Sequence, residues 1–229
     1  DQRNVNDIIN SSSGSLKGLH AGDLRFADLD GDNRISTGEN TVDKPGDRRI
    51  IGNSEPRYQY GANLAFQWCG FDFSIFFQGI GRMDWYPASE AELFWGPFNR
   101  PYATFLPKNF LEKCWSEDNP DAYFPRPRAY VAYDNLNNQC RELTAKNDRY
   151  LQNIGYCRLK NLTVGYTLPK NLTRKVGIDM LRVYFSGENL AYWSGIKTDY
   201  IDPEQARRGG DLKVYPWQKT FTFGINVNF

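Results

Sequence analysis

The stretch that decides the fold reads YQYGANLAFQWCGFDFSIFF, from Tyr58 to Phe77. From Tyr58 to Trp68 every second residue is aromatic or aliphatic, and the residues between them are Gln, Gly, Asn, Ala and Gln. A period of two is that of a β-strand with two unlike faces. The alternation resumes over Phe71–Phe77 after the two residues Cys69-Gly70, so the stretch predicts two strands joined by a tight hairpin.

Three later runs alternate in the same way, over residues 161–168, 181–186 and 221–229. Alternation by itself also fits the half-buried strands of a soluble β-sandwich. Sandwich strands average about 5 to 6 residues, whereas a tilted strand needs roughly 9 to 11 to cross a bilayer. The longer runs approach the second length, which favours transmembrane strands.

The connections between the runs are short and long in strict alternation. Cys69-Gly70 and Pro169–Met180 are short, whereas the loops over about 80–155 and 191–216 are long. An up-and-down barrel then has its short links on one side of the membrane and its long loops on the other, as outer-membrane barrels do. Five strands cannot close a barrel, and open edges in lipid cost several kcal/mol per unpaired group, so we expect further strands upstream.

Composition and charge exclude several classes of function. The 28 Lys and Arg nearly cancel the 27 Asp and Glu, which argues against nucleic acid as a partner. His20 is the single histidine, the four cysteines lack CxxC spacing, and no nucleophile motif is present, so neither a zinc site nor a catalytic triad is expected. We therefore expect no enzymatic activity.

Short motifs in a fixed order run along nearly the whole chain. They are Gly22-Asp23, Asp28-Leu29-Asp30-Gly31-Asp32, Ile50-Ile51-Gly52-Asn53, Tyr60-Gly61, Gly70-Phe71-Asp72, Phe76-Phe77-Gln78-Gly79, Leu159-Lys160-Asn161-Leu162-Thr163, Gly165-Tyr166, Leu168-Pro169, Arg182-Val183-Tyr184, Asn189-Leu190, Asp202-Pro203-Glu204, Tyr215-Pro216 and Phe223-Gly224-Ile225. In these motifs the chain resembles the C-terminal part of the barrel in the SusC/RagA family of TonB-dependent outer-membrane transporters. The resemblance implies an all-β fold: the C-terminal strands of a transmembrane antiparallel β-barrel with long extracellular loops.

The resemblance also implies a function, a location and partners. Transporters of this kind import oligosaccharides or peptides across the bacterial outer membrane, with energy from TonB and a SusD-like surface lipoprotein as a lid. The expected partners are therefore that lipoprotein, TonB through parts outside this chain, the remaining barrel and plug segments, outer-membrane lipid and the cargo. In this interpretation residues 1–57 are an extracellular loop region, and 58–229 hold the barrel strands and their loops.

Residues 28–39, DLDGDNRISTGE, fit a twelve-residue EF-hand-like calcium loop. Carboxylates stand at positions 1, 3, 5 and 12, and Asn takes the sharp-turn position usually held by Gly. The predicted Ca²⁺ ligands are the side chains of Asp28, Asp30, Asp32 and Glu39, the backbone carbonyl of Arg34, and Ser36 directly or through water. An acidic surface turn without metal is the alternative.

The long loop over about 80–155 is crowded with aromatic residues: Trp85, Tyr86, Phe94, Trp95, Phe98, Tyr102, Phe105, Phe110, Trp115, Tyr123 and Phe124. Aromatic rings stack on sugars and anchor protein interfaces, so these residues fit cargo or lid contacts. They fit equally a small core of the loop itself, because a long ordered loop must bury something. The rival to the transporter is a secreted, calcium-stabilised β-sandwich that binds glycans.

Overall fold

The computed structural model describes residues 20–102, 104–129, 131–132, 142–198, 200–207, 213–215 and 217–229. The strands, in chain order, are β1 (Gln59–Trp68), β2 (Phe71–Ile80), β3 (Asp84–Trp85), β4 (Gln152–Asn153), β5 (Tyr156–Thr167), β6 (Met180–Ser194) and β7 (Thr220–Asn228). Strands β3 and β4 pair with each other in a small antiparallel ladder. The other five form one sheet.

That sheet is an antiparallel meander in the order β1-β2-β5-β6-β7. Its β1–β2 turn has positive φ at both central residues, Cys69 (50°) and Gly70 (85°), which is the signature of a type I′ hairpin turn. The register pairs Trp68 with Phe71 and, at the same end of the strands, Met180 with Asn228. Both short links therefore lie at one end of the sheet, as the sequence predicts, and the two long loops leave from the other end.

The register also divides the sheet into an apolar and a polar face. Cross-strand partners share a face, and Phe66, Phe73, Val164, Phe185 and Phe223 form one continuous row across all five strands. This apolar face is open: Leu64 is 60% exposed and Phe223 is 79% exposed. The polar face carries the residues between them, Asn63, Ala65, Asp72, Ser74, Thr163, Gly165, Arg182, Tyr184, Ser186, Thr222, Gly224 and Asn226.

Strands β5 and β6 extend beyond the alternating runs of the sequence because a β-bulge interrupts both of them. The pairing of β5 with β2 and with β6 shifts register at Lys160, and Asn189 in β6 has φ of 52°. A bulge places an extra residue in one strand and so breaks the period of two. Consequently β5 begins at Tyr156 and β6 runs on to Ser194.

The helices of the described segments are short. Single α-helical turns occur at Glu92–Trp95 and Lys170–Thr173, and 3₁₀ turns at Gly96–Phe98, Leu111–Lys113 and Arg174–Val176. Among the described residues, no helix combines the length and apolar character needed to span a membrane.

The chain divides into two compact units. One comprises the described parts of 1–52, 86–151 and 207–214, and the other those of 53–85, 152–206 and 215–229. We call them the loop unit and the sheet unit. The core of the loop unit is aromatic, with Trp95 and Tyr150 fully buried and their rings in edge-to-face contact at 5.4 Å.

The predicted all-β class is confirmed, because antiparallel sheet is the main regular structure of the described residues and their helices are single turns. The rival β-sandwich requires two sheets whose apolar faces pack together. The five long strands instead share a single sheet, and their apolar face stays exposed. The structure therefore does not support the sandwich alternative.

Candidate functional site

An ion pair spans three strands on the polar face, near the end of the sheet that carries the short links. Arg182 of β6 donates from Nε to Asp72 Oδ1 at 2.8 Å and from Nη2 to Asp72 Oδ2 at 2.5 Å, in β2. Between them lies Gly165 of β5, where an added Cβ would sit 2.4 Å from the Asp72 carboxylate. The missing side chain at Gly165 lets this bidentate pair lie flat across the sheet.

The polar face continues with aromatic and hydroxyl groups. The guanidinium of Arg182 lies 4.9 Å from the centre of the Tyr184 ring, which covers Gly224 of β7. Thr163 and Ser186 share a hydrogen bond of 3.1 Å between their hydroxyl groups. This part of the sheet thus presents hydrogen-bonding groups to its surroundings, whereas the opposite face presents hydrocarbon.

At the end of the sheet that carries the long loops, a chain segment with acidic residues lies on the polar face. Arg158 and Lys160 of β5 form ion pairs with Asp202 and Glu204 at distances between 2.5 and 3.0 Å. Sequence reasoning identified Asp202-Pro203-Glu204 as a motif but assigned it no partner. Only the fold brings these four residues together, because more than forty positions separate the acids from the bases.

The predicted calcium loop folds tightly, with backbone N–H groups satisfied by its own carboxylates. Asp28 accepts hydrogen bonds from Gly31 N at 2.6 Å and from Asn33 N at 2.8 Å, and Asp32 accepts one from Arg34 N at 2.7 Å. Asn33 has φ of 61°, so it takes the left-handed conformation expected at this position.

The carboxylates that come together in this loop include one that the motif did not predict. Oxygens of Asp28, Asp30 and Asp47 lie within 4.8 Å of one another. Glu39, the predicted last ligand, instead pairs with Lys44 at 2.7 Å. Asp47 reaches the loop because residues 36–47 fold back on themselves, with Asp47 N donating to Ser36 O at 3.0 Å. Gly38 and Gly46 approach each other closely in this turn, and these two glycines are its signal in the sequence.

The remaining predicted ligands have other contacts as well. Ser36 N donates to Asp47 Oδ2 at 2.7 Å, which ties the loop to the third carboxylate. The pKa of Asp30 is lowered by a backbone hydrogen bond from Asp32, but desolvation and the negative charges of Asp32, Asp47 and Asp28 together outweigh it. The net pKa of Asp30 therefore lies above its ordinary value, because desolvation and the crowded like charges both disfavour the ionised form.

Five of the eleven aromatic residues that crowd the long loop form its core. The rings of Phe94, Trp95, Phe98, Phe110 and Phe124 are all buried. Burial also raises the pKa of Tyr86 and Tyr150 far above the usual tyrosine range, and it raises the pKa of the Cys114 thiol to about 11. Tyr102 and Phe105 stay exposed. The interpretation of these aromatics as the core of the loop is therefore correct for the five buried rings.

A buried charge cluster holds the N-terminal segment onto this core. The Asp23 side chain is only 1% exposed and lies 3.4 Å from Arg126 Nε and 3.2 Å from Arg128 Nε. Arg128 also contacts the fully buried Glu142. Beside this cluster the Trp115 ring lies directly over Gly22, where an added Cβ would come within 2.3 Å of it. The Gly22-Asp23 motif thus anchors its segment to the loop unit.

Comparisons with known proteins assign this architecture to a class. No family model matches the chain. It is 32% identical over 217 residues, or 89% of its length, to TonB-dependent receptor P3 of Formosa agariphila, and 27% identical over 91% of its length to TonB-dependent receptor P26 of the same organism. The chain spans about a fifth of the length of these relatives, 19% and 20% respectively.

Solved structures of the RagAB transporter share the fold. The RagAB peptide transporter matches 79% of the chain with a TM-score of 0.54 and 27% identity, over 18% of its own chain. The closed-closed state of the RagAB peptide importer matches 82% with a TM-score of 0.53 at 23% identity, which bears on the fold alone.

The resemblance to SusC/RagA-like TonB-dependent transporters seen in the motifs is confirmed, because these relatives match about nine tenths of the chain. Its predicted location in the outer membrane is confirmed by the same relatives. These relatives are receptors and transporters, in agreement with the expectation of no enzymatic activity.

Proposed function

We propose that this segment forms part of the barrel wall and outer loops of a TonB-dependent nutrient importer. In this role the apolar face contacts outer-membrane lipid and the polar face lines the passage. The long loops lie outside the cell, where they meet cargo and a SusD-like lipoprotein. TonB acts through parts of the receptor outside this chain, together with the plug and the remaining barrel strands.

One observation supports the proposal above all others: the apolar face of the sheet stays open, with exposed apolar side chains on β1, β2, β6 and β7 and half-buried ones on β5. A soluble protein rarely leaves so large an apolar surface open to water. A transmembrane barrel requires it, because lipid-facing and lumen-facing residues alternate along each strand. The short links and the long loops lie at opposite ends of the strands, which fits the same arrangement.

Between the two candidate cargos, we propose peptides rather than oligosaccharides. RagAB is a peptide transporter and matches this chain at 27% identity. Aromatic rings in the long loop would favour sugars, but five of the eleven are buried in the loop core, where they cannot stack on a sugar. Charged groups on the polar face suit the amides and charged termini of peptides.

An uptake assay tests this cargo. Cells that depend on the full-length receptor are given a mixture of peptides or a mixture of oligosaccharides as their nutrient source, with a strain lacking the receptor as control. We expect receptor-dependent depletion of peptides. Receptor-dependent uptake of oligosaccharides alone would contradict the peptide proposal and leave the importer proposal standing, whereas no difference between the strains would contradict both.

We also propose that the loop at residues 28–39 binds one Ca²⁺ with Asp28 and Asp30 as central ligands. The clustered carboxylates fit a hard cation, which relieves the repulsion that raises the pKa of Asp30. The geometry favours Asp47 over Glu39 as a further ligand, since Glu39 is paired with Lys44. Bound calcium would order the loop without taking part in transport chemistry.

Calcium titration of paired variants tests this site. Asp47→Asn should weaken binding strongly, whereas Glu39→Gln should change it little. Affinity should also fall as the pH is lowered, because protons compete for the same carboxylates. Unchanged binding in Asp47→Asn together with loss in Glu39→Gln would restore the twelve-residue ligand set, and no binding to the unaltered protein would contradict the site.

A further inference from the structure

A short segment of the second long loop lies on the polar face of the sheet. We call residues 200–206 the strap. Its acidic residues, Asp202 and Glu204, reach two basic residues of β5, so that two negative and two positive charges meet in one cluster. All four side chains are largely buried, between 3% and 16% exposed.

Arg158 is the centre of the cluster. Its Nη2 donates to Asp202 Oδ1 at 2.6 Å and to Oδ2 at 2.5 Å, and its Nε lies 3.0 Å from Glu204 Oε2. The guanidinium lies 4.9 Å from the centre of the Tyr192 ring of β6. The Arg158 side chain is only 3% exposed, and loss of either acid would leave two largely buried cations, Arg158 and Lys160, with a single counterion.

Lys160 reaches the strap because of the bulge in β5. Its Nζ donates to both carboxylate oxygens of Glu204 at 2.9 Å and lies 4.7 Å from the centre of the Trp217 ring, on the chain that returns to β7. A bulge changes the direction of a side chain relative to a regular strand. Here it lets Lys160 join Arg158 while Leu162 and Val164 keep their places on the apolar face.

The strap itself is compact and packed. Glu204 N donates to Asp202 Oδ1 at 2.9 Å and Gln205 N donates to Asp202 O at 3.0 Å, so the two acids are held by a turn. Four other strap residues are buried, Ile201, Pro203, Gln205 and Ala206, whereas Tyr200 at its start is exposed. Fixed charges and buried neighbours make the strap part of the sheet unit rather than a free loop.

We infer that Arg158 and Lys160 are positioning residues, which hold the strap as a fixed wall of the passage at the long-loop end. This inference rests on the proposed function, because it is the lumen-lining role of the polar face that puts the strap inside the passage. Cargo that enters from outside meets this end first. The position of the strap therefore sets the shape of the chamber in which the cargo is first bound.

Uptake kinetics of the full-length receptor in cells test this inference. In Arg158→Met and Asp202→Asn the strap loses the ion pair between Arg158 and Asp202, and KM for the imported cargo should rise roughly tenfold, the factor that corresponds to one lost cargo contact. The kcat and the amount of receptor in the outer membrane should change little. Lys160→Arg keeps the charge and should keep the KM of the unaltered receptor.

A matched control separates this effect from general loss of a cation. Lys170→Met removes a lysine from the exposed pair with Asp179, at 3.9 Å on the short link, and should leave KM unchanged. If Arg158→Met lowers the amount of receptor, Asp202→Asn and Lys160→Met are compared instead, with fluorine NMR of fluorotryptophan at Trp217 reporting movement of the strap.

Unchanged KM in Arg158→Met, Asp202→Asn and Lys160→Met, at normal receptor levels, would overturn the positioning role. A displaced Trp217 resonance with unchanged KM would also overturn it, because the strap would then move without affecting cargo. The receptor still imports cargo in both of these outcomes, so they contradict the strap inference and leave the proposed function standing. Failure of the unaltered receptor to import any cargo would contradict the proposed function itself.

Discussion

Single residues on the polar face act by what they leave room for. Gly165 has no side chain, and the Asp72–Arg182 pair occupies the space where its Cβ would stand. Gly224 is covered in the same way by the Tyr184 ring. Neither glycine needs an unusual backbone conformation, so both serve close approach rather than a turn. The sequence shows the glycines, but it does not show which side chains cross them.

The first prediction compares alanine substitutions at two strand glycines. Gly165→Ala places a Cβ 2.4 Å from Asp72 Oδ1 and should lower the free energy of unfolding by roughly 1–3 kcal/mol, the usual cost of overpacking. Gly61→Ala meets nothing closer than 3.4 Å and should change it by less than about 0.5 kcal/mol. Denaturant titration of the full-length receptor in lipid measures both, and equal effects would contradict the packing described at Gly165.

The second prediction concerns the two thiols Cys114 and Cys69. Burial raises the pKa of Cys114 to about 11, so its thiol stays protonated at pH 8.5, and alkylation requires the thiolate. Cys69 is exposed in the hairpin turn. Iodoacetamide at pH 8.5 should therefore modify Cys69 and spare Cys114, as mass spectrometry of tryptic peptides would show.

The same pKa fixes the sign of a pH dependence. Because the pKa of Cys114 is raised on folding, its contribution to stability is complete below about pH 9 and is lost as the pH rises through about 11. A Cys114→Ala variant should lack this part of the alkaline destabilisation. Rapid modification of Cys114 at pH 8.5 in the folded receptor would show that the thiol is not buried as described.

At the scale of elements, alternation predicts the strands wherever the ladder is regular. β1, β2 and β7 follow their sequence pattern closely. The pattern fails in β5 and β6, because the bulge at Lys160 reverses the parity and hides the part of each strand beyond it. Asp47 was missed for a related reason: a backbone turn brings it to the calcium loop, and no fixed spacing reports such a turn.

The third prediction tests the two faces of β7 with neighbouring residues. Phe223 lies on the apolar face and Thr222 on the polar face, opposite Ser186. Arginine on a lipid-facing position costs about 2–4 kcal/mol near the middle of the bilayer. Phe223→Arg should therefore reduce the amount of full-length receptor in the outer membrane, whereas Thr222→Arg should reduce it far less. Quantitative immunoblots of membrane fractions provide the measurement, and equal losses would argue against the facing of β7.

At the scale of the whole molecule, the sheet unit combines a hydrocarbon face, a polar face and a packed strap. The loop unit adds an aromatic core anchored by the buried Asp23 cluster. The sequence predicted the all-β class and the separation of short and long connections. It left open whether the loop aromatics contact cargo or each other, since a buried ring and a binding ring have the same residue type. Packing answers that question for the five buried rings, which contact one another.

The central claim is that one face of the sheet contacts lipid and the other lines the passage. Spin labels placed singly in the full-length receptor, reconstituted in a bilayer, test it most directly. Labels at Leu64, Phe73, Val164 and Phe223 should be accessible to oxygen, which dissolves in lipid. Labels at Asn63, Ser74, Thr163 and Asn226 should instead respond to a water-soluble nickel chelate or be shielded by protein. If both sets report the same environment, the sheet is not a barrel wall.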